Sequence, residues 1–336
     1  MDWMIDQSVG DYSAAFGKVR ARVVNSRNEK LIDCVKTLSP RYGIVYRDIA
    51  VGYGFLFGAL IAAAFAERAG ASKLLVFLLG SIAVGYWIAY LQLFIHEGAH
   101  WNLAVDREKS DRLCNLLISW LAGLEVKAYR QIHFPHHRLL GTADDTEHTY
   151  FFPLNLIFVV KSLLGVRALE VIRSRNKYAD EVAEKKRGEA VRRPEAPRVH
   201  AELVFGFLFH LAVVALMLRL GLWATALAWG AGVGALFPFF GALRQLLEHR
   251  PFEASARDDQ SAIAHGPTSR IFGDGILSST FGGAGFNRHL LHHWEPTVSY
   301  TRLGDLERFL RDTDLKRIIE QRSTSYGRAF WVLFGR

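Results

Sequence analysis

The chain has 336 residues, a formal net charge of +8 and an apolar fraction of 50%, with 23 Phe, 11 Tyr and 8 Trp. Two cysteines, Cys34 and Cys114, cannot form a disulfide framework, and the first ten residues lack the basic flank and apolar core of a cleaved signal peptide. Neither feature suggests a secreted protein, and no recognisable nucleic-acid-binding module accompanies the basic residues, so no nucleic acid is expected as a partner.

Four uncharged apolar stretches are candidates for membrane spans: Ala50–Ala66, Leu74–Ile95, Leu203–Leu218 and Gly221–Leu243. A bilayer core needs about 20 apolar residues, within a range of roughly 17–25. The second and fourth stretches, of 22 and 23 residues, meet this requirement; the first and third, of 17 and 16, are short but closely linked to their neighbours. The alternative, four buried helices of a soluble protein, is disfavoured by these short links and by the lack of a polar face. We therefore predict an all-α integral membrane protein with four transmembrane helices arranged as two hairpins.

Two hairpins place both termini and the long middle segment on the same side of the membrane. Of the 41 Lys and Arg residues, 38 lie in these segments, so the positive-inside rule assigns that side to the cytoplasm, although long segments count less. The predicted organisation is a single membrane domain with cytoplasmic segments at 1–49, 96–202 and 244–336 and hairpins at 50–95 and 203–243. The net charge then indicates a basic face against anionic lipid headgroups.

The middle segment contains two further apolar stretches, Leu113–Val126 and Phe151–Val160, which are too short to span. Both are expected to lie against the membrane surface or to pack beneath a cytoplasmic cap. Between Arg173 and Arg198 the chain is densely charged and ends in prolines, which predicts a solvated helix and linker.

Nine of the 13 histidines are placed where they can bind metal. HEGAH contains His96 and His100, HFPHH contains His133, His136 and His137, HLLHH contains His289, His292 and His293, and RQLLEHR contains His249. Residues i, i+3 and i+4 of a helix share a face, so His-x-x-His-His directs three imidazoles into one volume. Neutral imidazole suits zinc, copper, iron and nickel, and nine ligands are enough for two ions. His200, His210 and His265 are interpreted as ordinary core or surface histidines.

HEGAH also matches the zinc-protease pattern His-Glu-x-x-His, in which Glu97 would be the catalytic base. A membrane zinc protease would need a third ligand, and no carboxylate lies within the third or fourth apolar stretch. A zinc transporter would carry ionisable residues along its spans, where His210 is the only one apart from tyrosines. The membrane zinc metalloprotease and the transporter are therefore kept only as outside alternatives.

HEGAH, HFPHH and HLLHHWEP resemble, in order and placement, the three histidine boxes of the integral-membrane fatty acid desaturase family. RQLLEHR resembles the segment with the family's additional histidine, and WEPTVSYTRLGDL resembles the proline-containing tail after the third box. The resemblance covers roughly residues 50–315. It implies a cytoplasmic helical cap that carries a non-haem di-iron site. The implied iron ligands are the nine histidines His96, His100, His133, His136, His137, His249, His289, His292 and His293.

Metal-bound histidines usually donate their second N–H to a carboxylate or a carbonyl. The candidate carboxylates are Glu97, Asp144, Asp145, Glu147 and Glu248, with a solvated acidic turn as the alternative for each. Gln245 stands four residues before His249, where some family members have an asparagine that holds a water near one iron; a helix-surface glutamine is the alternative. His148 is expected at the surface, and Trp294 is expected to pack.

The resemblance implies an O2-dependent oxidoreductase of lipid metabolism that uses two iron ions and introduces a C=C bond into an acyl-lipid or lipid-like chain. A hydroxylase on the same site is the alternative, because the outcome depends on how the substrate C–H bonds are held. The two His-x-x-His-His boxes favour the desaturase.

The sequence has no iron–sulfur, haem or nucleotide motif that would supply electrons. A separate donor of the ferredoxin, rubredoxin or cytochrome b5 type, with its reductase, is therefore expected as a partner. Arg130 and Arg138 are candidates for attracting an acidic donor.

Overall fold

The computed structural model describes residues 13–166, 169–170, 173, 201–255 and 265–334. Within these residues the chain is helical, and β-structure is limited to two isolated bridges. The helices, numbered in chain order, are α1 Ser13–Val19, α2 Leu31–Thr37, α3 Tyr42–Arg68, α4 Lys73–Ala99, α5 Arg107–Cys114, α6 Trp120–Ala122, α7 Val126–Leu139, α8 Leu156–Leu163, α9 Ala201–Arg219, α10 Trp223–Ala231, α11 Phe237–His249, α12 Ile276–Thr280, α13 His289–Trp294, α14 Tyr300–Leu310, α15 Lys316–Arg322 and α16 Tyr326–Leu333. The predicted charged helix and linker after Arg173, and His200, lie outside the described residues.

Three helices of the described chain are long and apolar enough to cross a membrane: Tyr42–Arg68, Lys73–Ala99 and Trp223–His249. The last of these joins α10 to α11 through a π-helical turn at Gly232–Leu236. The third predicted stretch lies in α9, where Leu203–Arg219 forms an apolar but shorter helix. The helical class is therefore confirmed for the described residues, with three candidate membrane spans, while the four-span topology, its sidedness, the cytoplasmic cap and the segment boundaries stay predictions.

Helix α4 is the central element, because α3, α7, α10 and α11 all pack against it. Leucines near its start are exposed, with Leu75 at 55% and Leu79 at 63%, as expected for a surface that faces lipid. Its last turns are buried, and Ile88 and Ile95 are fully enclosed. The helix thus carries HEGAH from the apolar exterior into the protein core.

The stretch Leu113–Val126 continues α5 through a π-helical turn at Asn115–Ser119 into α6 and packs against α4 and α9. The Tyr53 hydroxyl donates a hydrogen bond to the Leu117 carbonyl, and His210 Nε2 donates one to the Leu121 carbonyl at 3.0 Å. His210 Nδ1 accepts a hydrogen bond from the Trp229 indole. This stretch therefore lies beside long apolar helices, and His210 has an ordinary structural role there.

Helix α8, which lies largely within the apolar stretch Phe151–Val160, is amphipathic. Phe158 is 1% exposed and packs into a cluster that includes Leu246 of α11, whereas Leu156 and Ile157 are 68% and 64% exposed. Such a helix is typical of the interface between membrane and water.

The N-terminal helix α1 packs against the segment that follows HLLHH. The Phe16 ring stacks on Trp294 with centroids 4.8 Å apart, and Arg20 pairs with the buried Glu295 carboxylate. Trp294 is 4% exposed, so it packs as expected. Helix α1 thus shares a hydrophobic cluster with α13, which carries HLLHH, and with α14 and α15.

Candidate metal centre

The nine histidines singled out in the sequence come together in the core as two neighbouring clusters, and within each cluster one ligand atom per residue lies within 4.8 Å of the others. The first cluster consists of His96, His100, His133, His137 and His292. The second cluster consists of His136, His249, His289 and His293. Each of these clusters has enough ligands for one metal ion.

Helical spacing explains how three boxes supply two clusters. In α7, His133 and His137 are four residues apart and enter the first cluster, whereas His136 turns to the second. In α13 the division is reversed, because His289 and His293 enter the second cluster and His292 the first. The three imidazoles of each box therefore do not share one volume, as the spacing suggested, but are divided between two adjacent ones.

The imidazole nitrogens of each cluster face one another at short range. In the first cluster, Nε2 of His133 lies 3.0 Å from Nε2 of His100 and 2.9 Å from that of His137. In the second cluster, Nε2 of His289 lies 2.9 Å from that of His249 and 3.2 Å from that of His293. Metal–nitrogen bonds of about 2.0–2.1 Å place adjacent ligand nitrogens roughly 3 Å apart. The geometry therefore fits coordination of a metal ion at each cluster.

Several buried ring nitrogens have no hydrogen-bond partner among the described residues. Both nitrogens of His96 and Nδ1 of His137, His289 and His293 are in this state. Orphaned polar atoms are costly in a protein core, because burial removes their hydrogen bonds to water. Coordination would give His96 a partner, which supports metal binding independently of the distances.

The protonation state of most of these histidines favours metal binding. Burial, reinforced by the neighbouring positive groups, lowers the pKa of five histidines well below 6.5: His100, His137, His289, His292 and His293. They are therefore neutral imidazoles, the form that binds metal. Burial also disfavours the charged form of His136, but Asp145 and Glu147 outweigh it and raise the pKa of His136 to about 9. Metal binding at His136 must therefore release a proton.

Three acceptors hold the outer nitrogens of the cluster histidines. The Asp145 carboxylate lies 2.8 Å from Nδ1 of His136, and Glu147 lies 3.2 Å from Nδ1 of His133. Nδ1 of His249 donates to the Thr268 carbonyl at 2.8 Å. Each contact fixes the ring so that Nε2 points into a cluster.

The remaining polar candidates have other partners. Gln245 donates to Glu147 and accepts from the Thr149 backbone N–H, so its amide orients an outer carboxylate. Glu97 accepts from the Ser299 hydroxyl and the Tyr300 backbone N–H. This geometry ties Glu97 to the start of α14 instead of to a cluster histidine.

Two further acidic candidates differ in burial. Glu248 is buried, accepts from Arg244 at 2.6 Å and from the Tyr326 hydroxyl at 3.2 Å, and lies 3.9 Å from Nε2 of His289. Asp144 is exposed and makes no hydrogen bond with the described chain. Glu248 can thus influence the second cluster, whereas Asp144 belongs to a solvated turn.

Several supporting residues were not singled out in the sequence. Tyr150 donates to Asp145 at 2.6 Å, and Tyr129 stacks on His133 with centroids 5.1 Å apart. Tyr129 stands four residues before His133, so the helical spacing itself could have identified it. No local pattern points to Tyr150 or to the Thr268 carbonyl.

A narrow cleft between α4 and α11 leads towards the two clusters. Its free volume is about 10 Å³, room for roughly one water molecule. Its lining is mainly aromatic and apolar: Tyr86, Ala89, Tyr90, Phe240, Arg244, Thr280 and Phe281. The Arg244 guanidinium lies 3.7 Å from the centroid of the Phe286 ring. That ring in turn lies 4.5 Å from His96 and 4.9 Å from His289. Phe286 therefore separates the inner end of the cleft from both clusters.

Comparison with protein families gives one match: the model of the family described as fatty acid desaturase covers residues 72–325. A comparison with curated proteins gives no significant match. The matched region contains both histidine clusters and the cleft, and it is more than half of the chain. The chain therefore belongs to the fatty acid desaturase family, whose members are membrane oxidoreductases.

Proposed function

We propose that the protein is an O2-dependent membrane desaturase that introduces a C=C bond into an acyl-lipid or lipid-like chain and binds two iron ions. The observation that carries this proposal is the pair of adjacent clusters of five and four histidines. A zinc protease would use only the HEGAH cluster and would leave the second without a role. Glu97 is also bound to Ser299 and Tyr300, which does not suit a catalytic base.

Iron held by the nine histidines would supply the activation of O2 and the removal of hydrogen from an unactivated CH2. The protein's own residues would bind the iron ions and orient the imidazole rings. Burial keeps most of the imidazoles neutral, while Asp145 and Glu147 fix the rings of His136 and His133. Tyr150 and Gln245 hold these two carboxylates in turn, so the ring orientations are set by a connected network.

The character of the residues that line the cleft supports an apolar chain as the substrate. Of the four half-buried lining residues, Tyr86, Phe240 and Phe281 are aromatic and the fourth is Thr280. The adjacent α12 exposes Ile276 and Leu277 at 86% and 52%. An exposed apolar edge of this kind suits lipid. A chain that enters between α4 and α11 would reach the clusters at Phe286, where the position of its C–H bonds would select desaturation over hydroxylation.

The proposal also includes a membrane topology and an electron donor. We infer four spans in two hairpins, with α9 as the third span, and both termini and the metal centre on the cytoplasmic side. The three long apolar helices and the shorter α9 support this arrangement. Electrons would come from a separate ferredoxin, rubredoxin or cytochrome b5-type protein with its reductase.

The direct test is expression with a ferredoxin system, followed by mass spectrometry of whole-cell lipids, with His136→Ala as the control. A product lighter by two hydrogens that is absent from the control is the expected result. A product heavier by one oxygen would instead establish a hydroxylase on the same site. Two iron atoms per purified chain, measured by elemental analysis, are expected; stoichiometric zinc in an active preparation would contradict the proposal.

A further inference from the structure

One side of the first cluster approaches the protein surface. His100 and His137 are partly exposed, whereas the other seven cluster histidines are buried. Trp101 and Phe134 lie next to them: the Phe134 ring is 5.3 Å from the His100 ring and 5.8 Å from the Trp101 ring. We call Trp101 and Phe134 the aromatic patch. It lies between solvent and the first cluster.

Trp101 is held in an unfavourable backbone conformation at this surface. Its φ angle is +59°, a region that bulky L-residues rarely adopt. Two guanidinium groups lie close to the Trp101 ring, that of Arg107 at 4.5 Å and that of Arg130 at 4.1 Å from the ring centroid. Such strain persists where the surroundings fix it, and it concentrates at functional sites.

Unpaired cations surround the aromatic patch. Lys127 and Arg138 are exposed on the same face of α7 as Phe134, and Arg107 is exposed at the start of α5. None of these three makes an ion pair or a hydrogen bond with any described residue. We call Arg107, Lys127 and Arg138 the cationic rim.

The remaining charged residues near the aromatic patch leave its net charge positive. Arg130 donates to Asp111 and to the Gly98 and Ala99 carbonyls, so of the two arginines predicted to attract a donor only Arg138 is free. The exposed acids at the start of α5 are Asp106, which accepts from the Lys109 backbone N–H, and Glu108. They are outnumbered by the cationic rim together with the exposed Lys109. The surface therefore keeps an excess of positive charge.

We propose that the aromatic patch and the cationic rim form the docking surface for an acidic one-electron carrier protein, an inference that rests on the proposed function. Opposite charges steer encounter, and Trp and Arg are the side chains that most often dominate protein interfaces. Removal of two hydrogens from the substrate, with reduction of O2 to two waters, consumes two electrons and two protons. The carrier is oxidised by one electron at each encounter, so it docks twice in each turnover.

The test measures docking separately from catalysis. The full chain is placed in discs of phosphatidylcholine, a zwitterionic lipid without net charge, and is used with or without iron. Its binding to an acidic [2Fe–2S] ferredoxin and to an acidic cytochrome b5 is measured by surface plasmon resonance. The double variant Lys127→Glu/Arg138→Glu should bind at least one of them about tenfold more weakly at 20 mM salt, with the difference shrinking at 500 mM because salt screens exposed charges. The double variant Arg317→Glu/Arg328→Glu, at exposed cations of α15 and α16, makes the same change in net charge. It is the matched control and should bind like the unmodified chain.

Trp101→Gly removes the aromatic ring while glycine accepts the positive φ. It should weaken docking at both salt concentrations, since an apolar contact is not screened. Absence of binding by the unmodified chain at 20 mM salt, or equal losses in Lys127→Glu/Arg138→Glu and in Arg317→Glu/Arg328→Glu, would overturn the docking surface. Because iron-free protein can be used, intact docking without any lipid product would overturn the proposed function alone.

Discussion

At the residue scale, the centre depends on side chains that never face a metal position. His136 has its Nδ1 against Asp145, and the same carboxylate accepts from the Tyr150 hydroxyl and from the Glu147 backbone N–H. Asp145 is fully buried, so these contacts replace the hydrogen bonds that its carboxylate would make with water. One carboxylate thus fixes the only cluster histidine that α7 contributes to the second cluster.

Asp145→Asn should lower metal affinity at the second cluster by about 10–100-fold, the usual effect of losing an outer carboxylate. The amide keeps the size of the side chain but removes the charge that orients His136. Iron retained per chain after dialysis against a graded chelator series measures the effect. Asp144→Asn, one residue earlier and exposed, is the control; equal loss of iron in both variants would contradict this role for Asp145.

The nine histidines could be found from sequence because their spacing is local, whereas their distribution between clusters could not. Residues i, i+3 and i+4 share a face, and only the packing of α7 against α13 and α4 decides which ring enters which cluster. The same limit applies to Thr268, whose carbonyl reaches His249 through tertiary folding alone. Asp145 was one of several acidic candidates, and burial separates it from Asp144.

At the element scale, helix bounds differ from the uncharged stretches for a physical reason. Helix α3 begins at Tyr42, eight residues before Ala50, and so includes Arg47 and Asp48. The uncharged run reports the thickness of the bilayer core, but a helix continues wherever its backbone remains hydrogen-bonded. The sequence therefore indicates which part of the helix is apolar enough to span, but not where the helix begins.

Gly206 allows α9 to approach the stretch around α6. A Cβ atom at this position would lie 1.8 Å from the Trp120 carbonyl oxygen, which is backbone and cannot turn away. Gly206→Ala should therefore destabilise the protein by about 1–3 kcal/mol, as overpacking does, and lower its midpoint of thermal unfolding in detergent. Gly230→Ala is the control, since nothing lies within 4 Å of a Cβ there. An unchanged midpoint for Gly206→Ala would show that α9 is not held this closely.

Ala89 tests whether the cleft between α4 and α11 holds the substrate. Ala89→Phe should fill the cleft and abolish or redirect product formation, while iron per chain stays unchanged because Ala89 touches neither cluster. Lipid mass spectrometry measures the product, and Ala62→Phe, on the exposed face of α3, provides a lipid-facing control. Full activity with an unchanged product would place the substrate elsewhere.

At the scale of the whole molecule, helix α4 connects the metal centre to a distant group of stabilising hydrogen bonds around Glu67. Helix α4 has 27 residues, about 40 Å of helix, with HEGAH at its end and the link from α3 at its start. At that link Glu67 is 3% exposed and accepts from the backbone N–H groups of Ala224 and Thr225 and from the Thr225 hydroxyl. Lys73 pairs with the same carboxylate at 3.1 Å. Glu67 thus joins the α3–α4 pair to the start of α10.

Glu67→Ala should separate stability from metal binding. The hydrogen bonds to a charged group contribute about 1.5–3 kcal/mol each and are not additive, so a loss of about 3 kcal/mol in the free energy of unfolding is expected. The thermal midpoint should fall while iron per chain at low temperature stays that of the unmodified protein, because no cluster histidine contacts Glu67. Arg68→Ala, exposed and adjacent, should change neither quantity. Loss of iron from the Glu67→Ala variant at temperatures where the variant remains folded would contradict this separation. It would mean that the link between α3 and α4 controls the position of the histidines at the other end of α4.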